Sequence, residues 1–212
     1  YTAIACAGYL DFQDTIKILK IRGEAMQNSV PEGEGGMIAV LGTTVENVEK
    51  ILKDNKNDFF VEIANDNSKG QIVLSGKIKD LEKLNLTLKN YKIKSIKLPV
   101  SAPFHCSLMR NATNVMKEEL SNLKFKKGNN VLISNITADE IFNKDKLKDL
   151  LIRQIENRVR WRESIIYMIN KQVNQFIEIG PGKILSGLVK RINNEVIVNS
   201  INNEEDIKSI KI

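Results

Sequence analysis

From Gly36 to Val100, apolar runs and helical stripes follow one another in an order that few folds satisfy. "GMIAVLG" is a continuous apolar run, the pattern of a strand covered on both faces. "TTVENVEKILKD" returns to helical spacing, with Val45, Val48, Ile51 and Leu52 on one side. "FFVEIAN" and "QIVLSG" read as strands joined by the turn-rich "DNSKG". "KDLEKLNLTLKNY" is a second helix with Leu81, Leu84, Leu88 and Tyr91 inward, and "KIKSIKLPV" closes the run as a strand. The order β-α-β-β-α-β is the ferredoxin-like arrangement.

The flanks have a different rhythm. "YTAIACAG" reads as the inside of a helix with a turn after Ala7, so an element that starts earlier is expected. A helix from about Asp11 to Gln27 places Ile18, Leu19, Arg22, Ala25 and Met26 on one face and Lys17, Lys20 and Glu24 on the other. "NSVPEGEGG", with one proline and three glycines, is a linker. Past Pro103, Leu108, Met109, Ala112, Val115, Met116 and Leu120 form one helical stripe. "VLISNI" reads as a strand, and "LKDLLIRQI" and "WRESIIYMI" as helices. "QFIEIGPGKILSGLVKRI" reads as strand, glycine turn and helix, and "EVIVNSI" as a last strand. Apolar strands alternating with helices predict a mostly parallel α/β sheet. The expected fold class is therefore α/β. A large lobe made of residues 1–32 and 101–212, incomplete at its N-terminus, carries the ferredoxin-like subdomain 33–100 as an insertion.

Composition narrows the setting. Hydrophobic residues make up 42% and charged residues 27% of the 212, as in globular domains. No apolar run approaches the roughly 20 residues that span a bilayer, so no membrane partner is expected. Two cysteines, Cys6 and Cys106, cannot build a disulfide framework and suit a reducing compartment. The net charge of +6 favours acidic partners, although lysines scattered over a solvated surface explain it better than a dedicated groove. The abundance of Ile, Asn and Lys fits the cytoplasm of a low-GC bacterium or a plastid stroma.

His105 is the only histidine, and it lies in "LPVSAPFHCSLM", where a strand gives way to a helix. A helix dipole there disfavours imidazolium, which leaves a neutral ring able to accept a proton. Taken alone, such a histidine is more often structural than catalytic. No second histidine or Cys-x-x-Cys accompanies it, which argues against a metal site, and no serine has a G-x-S-x-G context. Arg22 lies on the apolar side of its helix. It either snorkels or awaits an anion.

Six blocks, "YTAIACAGYLDFQDTIKILKIRGEAMQ", "VPEGEGGMIAVLG", "IANDNSKGQIVLSG", "LPVSAPFHCSLM", "LLIRQIENRVRW" and "EIGPGKILSGLVKRI", resemble the malonyl-CoA:acyl carrier protein transacylase family in order and spacing. In that family a G-H-S-x-G-E segment bearing the nucleophilic serine comes just before the stretch matching "YTAIACAG". The resemblance implies that His105 is the general base and that the main-chain carbonyl of Gln154 orients it. It implies that Arg22 grips the malonyl carboxylate, that Met26 lines the same pocket, and that Asn65 and Asn67 sit at the cleft mouth. Without it, Met26 is core, Asn65 and Asn67 are turn residues, and Gln154 is an amide on a helix edge. Phe104, in "APFH", is similar to the H-A-F-H tetrad of malonyl-selective polyketide acyltransferase domains, and its ring would crowd an α-methyl branch.

The implied reaction moves malonyl from malonyl-CoA to the phosphopantetheine thiol of acyl carrier protein through a malonyl-serine. No metal or redox cofactor is expected, no nucleic acid, and a monomer. A polyketide synthase acyltransferase domain is the alternative within the class. A non-catalytic fragment and a ferredoxin-like RNA-binding module are the alternatives outside it, and "QIVLSG" lacks the aromatic pair that the RNA-binding module would need.

Overall fold

The structure, a computed structural model, describes residues 1–141 and 143–210. Its most buried strand is β1 (Gly35–Leu41), whose side chains alternate between two cores. Ile38 and Val40 point to a core with Val45, Val48 and Ile51 of α3 (Val45–Asp54) and Leu81, Leu84 and Leu88 of α4 (Ile78–Asn90). Met37 points the other way, into a smaller cluster with Val73, Leu98, Val100 and Phe104. Both faces are covered, which is why the run reads as uninterrupted apolar sequence.

β2 (Val61–Ser68), β3 (Gln71–Lys77) and β4 (Lys94–Lys97) complete a four-stranded sheet in the order β2-β3-β1-β4. Every neighbouring pair is antiparallel. The connections through α3 and α4 each step over one strand, so the element order read from periodicity is the order observed. Thr44 caps α3 by accepting from the Asn47 amide at 3.3 Å. Tyr91, expected inward, is the C-terminal cap of α4 and 53% exposed, because the helix ends before its side chain can turn back to the core.

On the other side of the sheet lies a helical core. α1 (Thr2–Cys6), α2 (Phe12–Gln27), α5 (Arg110–Ser121) and α6 (Lys144–Arg153) bury Ile4, Ile18, Met26, Met116, Leu120 and Leu151 together. Val115, placed on the buried stripe by sequence, is 40% exposed, since Ala112, Met116 and Leu120 already fill the contact with α2. α7 (Trp161–Asn170) and α8 (Ile184–Ile192) pack on each other and on β2. β5 (Gln175–Ile179) and β6 (Ile197–Ile201) pair in parallel beside α8, and α9 (Glu204–Ser209) follows.

Two further sequence expectations fail here. The sheet is not mostly parallel: among the described residues β5–β6 is the one parallel ladder of named strands, against three antiparallel ones. "VLISNI" is not a strand. It folds back in a tight turn, with the Ile141 amide donating to the Leu132 carbonyl (2.9 Å) and Ser134 to Asp139 (3.0 Å). Val131 is 67% exposed, and no described strand lies alongside to complete a ladder.

Candidate active site

The segment Leu98–Met109 leaves the small sheet and enters the helical core, and its inward residues fix its path. Ala102, Cys106 and Met109 are fully buried, and the Cys106 thiol donates to the Pro103 carbonyl at 3.0 Å. Pro103 lies against Gly35 so closely that a Cβ there would stand 2.4 Å from the proline Cδ. This close approach is what the first residue of β1 must permit. Phe104 packs into both the helical core and the sheet cluster, bridging the two.

His105 follows in a left-handed conformation, φ 59°. A non-glycine residue held there carries a backbone cost of about 1–2 kcal/mol, which the surrounding contacts must offset. The ring Nδ1 lies 2.9 Å from the Gln154 carbonyl. A carbonyl can only accept, so Nδ1 carries the proton and Nε2 is left as the basic nitrogen. Burial pulls the imidazole from 6.5 down to about 4; hydrogen bonds to the Gln154 and Asn157 backbone oppose this, and the Arg22 charge adds to it. Helical turns begin at Ser107, two residues past the ring, and burial is the largest cause of the shift. The ring opens on a recess of about 400 Å³, lined by Glu62 and Ile63 of β2, Glu49 of α3, and Glu156, Asn157 and Arg158.

Arg22 approaches from α2. Its guanidinium lies over the Tyr1 ring, 5.1 Å from the centroid, and its buried Nε has no hydrogen-bond partner. No carboxylate of the described residues is ion-paired with it. Burial accordingly pulls its pKa down. The Tyr1 phenol, pushed up to about 12 by burial, stays neutral and donates to the Leu151 carbonyl at 2.9 Å. An unpaired guanidinium whose charge reaches a neutral imidazole is suited to an anionic ligand next to a reacting centre.

The other singled-out residues fall at different depths. Met26, 3% exposed, belongs to the helical core one turn from Arg22. Asn65 sits beyond a shift in the β2 register and bridges in parallel to Val159, close to the segment that holds His105. Asn67 lies at the second register shift, and no described contact joins it to the recess. Such bulges re-aim side chains beside functional sites.

Sequence reasoning passed over four contributors: Tyr1, Gly35, the Gln27–Ser101 side-chain bond (2.9 Å) and Glu62. An acid between Val61 and Ile63 in a strand reads as a solvent-facing position. Here it faces the His105 segment.

Comparison with known proteins places this geometry. No family model matches the chain. The malonyl CoA-acyl carrier protein transacylase of Bacillus subtilis is 40% identical over 210 residues, 98% of this chain and 66% of the relative. A solved acyl carrier protein S-malonyltransferase from Vibrio cholerae superposes with a TM-score of 0.95 at 35% identity, covering 100% of this chain and 69% of that one. A type II PKS acyl-carrier protein in complex with its malonyl-transacylase matches with a TM-score of 0.94 at 32% identity, covering 99% and 68%. The chain thus spans about two thirds of the length of the relatives it matches.

Proposed function

The chain belongs to the malonyl CoA-acyl carrier protein transacylase family, and from that premise we propose that it supplies the base and the carboxylate clamp of a malonyl transfer site. The observation that carries the reading is the pairing of two groups. Arg22 is buried with an unpartnered Nε, and within reach of its charge His105 is held neutral with Nδ1 committed to a carbonyl. A malonyl group has a carboxylate for the first and a thioester for the second.

In the proposed reaction a serine hydroxyl attacks the thioester carbon of malonyl-CoA and its proton passes to His105 Nε2. The carbonyl re-forms, and the CoA sulfur departs with that proton. The phosphopantetheine thiol of acyl carrier protein then attacks the malonyl ester, gives its proton to Nε2, and the serine oxygen recovers it. The Gln154 carbonyl keeps the ring in the Nδ1–H tautomer through both halves, the part a carboxylate plays in a Ser-His-Asp triad. Arg22 holds the malonyl carboxylate with Met26 beneath it, Phe104 limits room at the α-carbon, and Asn65 and Asn67 contact the bound thioester's longer arm. The chemistry calls for no metal or redox cofactor.

The same premise extends to architecture. Residues 33–100 form a ferredoxin-like subdomain inserted into an α/β-hydrolase-like lobe of residues 1–32 and 101–212, and the protein acts as a monomer in a bacterial cytoplasm. The antiparallel order β2-β3-β1-β4 and the parallel pair β5–β6 support that division. Among the described residues no helix is long and apolar enough to cross a membrane.

The test, run in a full-length protein that carries the family's serine segment, is transfer from malonyl-CoA and acetyl-CoA to phosphopantetheinylated carrier protein. His105→Ala should abolish both. Arg22→Met should lower malonyl transfer by roughly 100-fold, the loss for a desolvated charge pair, and leave acetyl transfer within a few fold. Equal losses for the two substrates would remove the clamp from the reading.

A further inference from the structure

We propose that Glu62 is a positioning residue for His105: from the neighbouring sheet it holds the backbone that carries the base. What the base then does rests on the transfer reading; the holding itself does not.

The Glu62 carboxylate is directed by the strand that carries it. Val61 and Ile63 pack with the α3–α4 core, so the residue between them faces the opposite side of the sheet. There one oxygen, Oε2, accepts from both the amide (2.9 Å) and the hydroxyl (2.6 Å) of Ser107, a residue 45 positions away in the chain. Ser107 is the first residue of the 3-10 turn Ser107–Met109, which runs into α5. Cys106, which precedes it, makes no side-chain capping bond. Unsatisfied amides at a helix start need an acceptor, and an anionic one is favoured by the dipole. The cap missing locally therefore comes from another strand.

The position of this cap gives it a second consequence. His105 stands in its left-handed conformation between two anchors, and both belong to the small sheet. Upstream, Pro103 is pressed on Gly35 of β1. Downstream, Ser107 is tied to Glu62 of β2. Gln154 restrains the ring, and these two contacts restrain the backbone beneath it. The other charged groups around the recess are otherwise engaged. Glu156 pairs with Arg110 at 3.1 Å, and Arg158 bridges Glu49 and Glu163. Glu62 pairs with no cation among the described residues; its described bonds all go to Ser107.

A cap that served stability alone would leave the imidazole unaffected when removed. The single histidine makes the distinction measurable. In 15N spectra of the labelled chain His105 should be the Nδ1–H tautomer. Glu62→Ala should shift it toward the mixture of free imidazole and raise the rate of diethyl pyrocarbonate modification roughly tenfold, the scale of losing bonds to a charged acceptor. Glu62→Gln keeps an acceptor oxygen and should stay within about twofold of the parent. Ser107→Ala removes only the hydroxyl arm and should fall between. A Glu62→Ala chain that is folded by circular dichroism, yet keeps the parental tautomer and rate, overturns the proposal. If Glu62→Ala does not fold, Ser107→Ala decides, and a parental ring in that variant overturns it equally. A ring freed by Glu62→Ala in a protein whose parent transfers no malonyl group would leave the positioning role standing and refute the transfer reading.

Discussion

The pH response of His105 is the sharpest consequence of this site. The ring moves from 6.5 in an open chain to about 4 in the fold, chiefly through burial. Each pH unit is worth about 1.4 kcal/mol, so protonating the buried ring costs about 3 kcal/mol more than protonating the unfolded chain. The sign follows from proton counting. Above 6.5 neither state binds the proton, and folding is indifferent to the ring. Between 6.5 and about 4 the unfolded chain takes it and the folded one does not, so stability falls as pH falls through that window. Below about 4 both are protonated and the loss is complete.

Two measurements follow. The ring carbon and proton shifts of a chain with one histidine trace one titration, free of overlap, and the midpoint should lie near 4. Urea midpoints across the same range should report a loss of about 3 kcal/mol from this group, set against a His105→Gln reference that lacks it. Arg22→Met removes a charge that works in the same direction as burial, so the midpoint should rise yet remain below 6.5. A folded-state midpoint at 6.5 would refute the buried base, and Arg22→Met restoring 6.5 would show that charge, not burial, holds the ring neutral.

Other consequences concern the contacts around the ring. In the full-length protein, Phe104→Ser should relax malonyl over methylmalonyl selectivity by about 1–3 kcal/mol, the range for a methyl-sized contact; unchanged kcat/KM ratios would remove Phe104 from specificity. Gly35→Ala places a Cβ 2.4 Å from Pro103 Cδ, so it should cost about 1–3 kcal/mol in stability and loosen His105 as judged by its modification rate. A parental melting temperature and modification rate would show that Pro103 can move away freely.

Periodicity was informative wherever burial repeats along one element. Ile38, Val40, Val48, Ile51, Leu81, Leu84 and Leu88 were all legible, because each alternates with polar neighbours or sits in a fully covered run. "VLISNI" failed for the same physical reason in reverse. An apolar run becomes a strand only if a partner strand is present, and the run carries no information about the partner. Tyr91 and Val115 failed at an end and an edge of their helices, where a few degrees of rotation separate core from solvent. His105 was noticed because it is single and Arg22 because it breaks an apolar face. The resemblance implies a role for each.

Glu62 and Gly35 were not legible, and the reason bears on how the site works. Their importance lies entirely in residues 45 and 68 positions away, Ser107 and Pro103, which no local pattern connects to them. A base in a strained conformation needs restraint on both sides, and a loop cannot supply it from its own backbone. The small sheet supplies it here with two unlike devices: a missing side chain that lets Pro103 close in, and a carboxylate that gathers Ser107. Gln154, on the helical side, then sets the tautomer, and burial, with the Arg22 charge adding to it, keeps the ring neutral. Neither side alone both holds the backbone and tunes the imidazole. The small sheet is thus part of the basic nitrogen's geometry, and perturbing its packing at β1 or β2 should alter His105 before it unfolds the helical core.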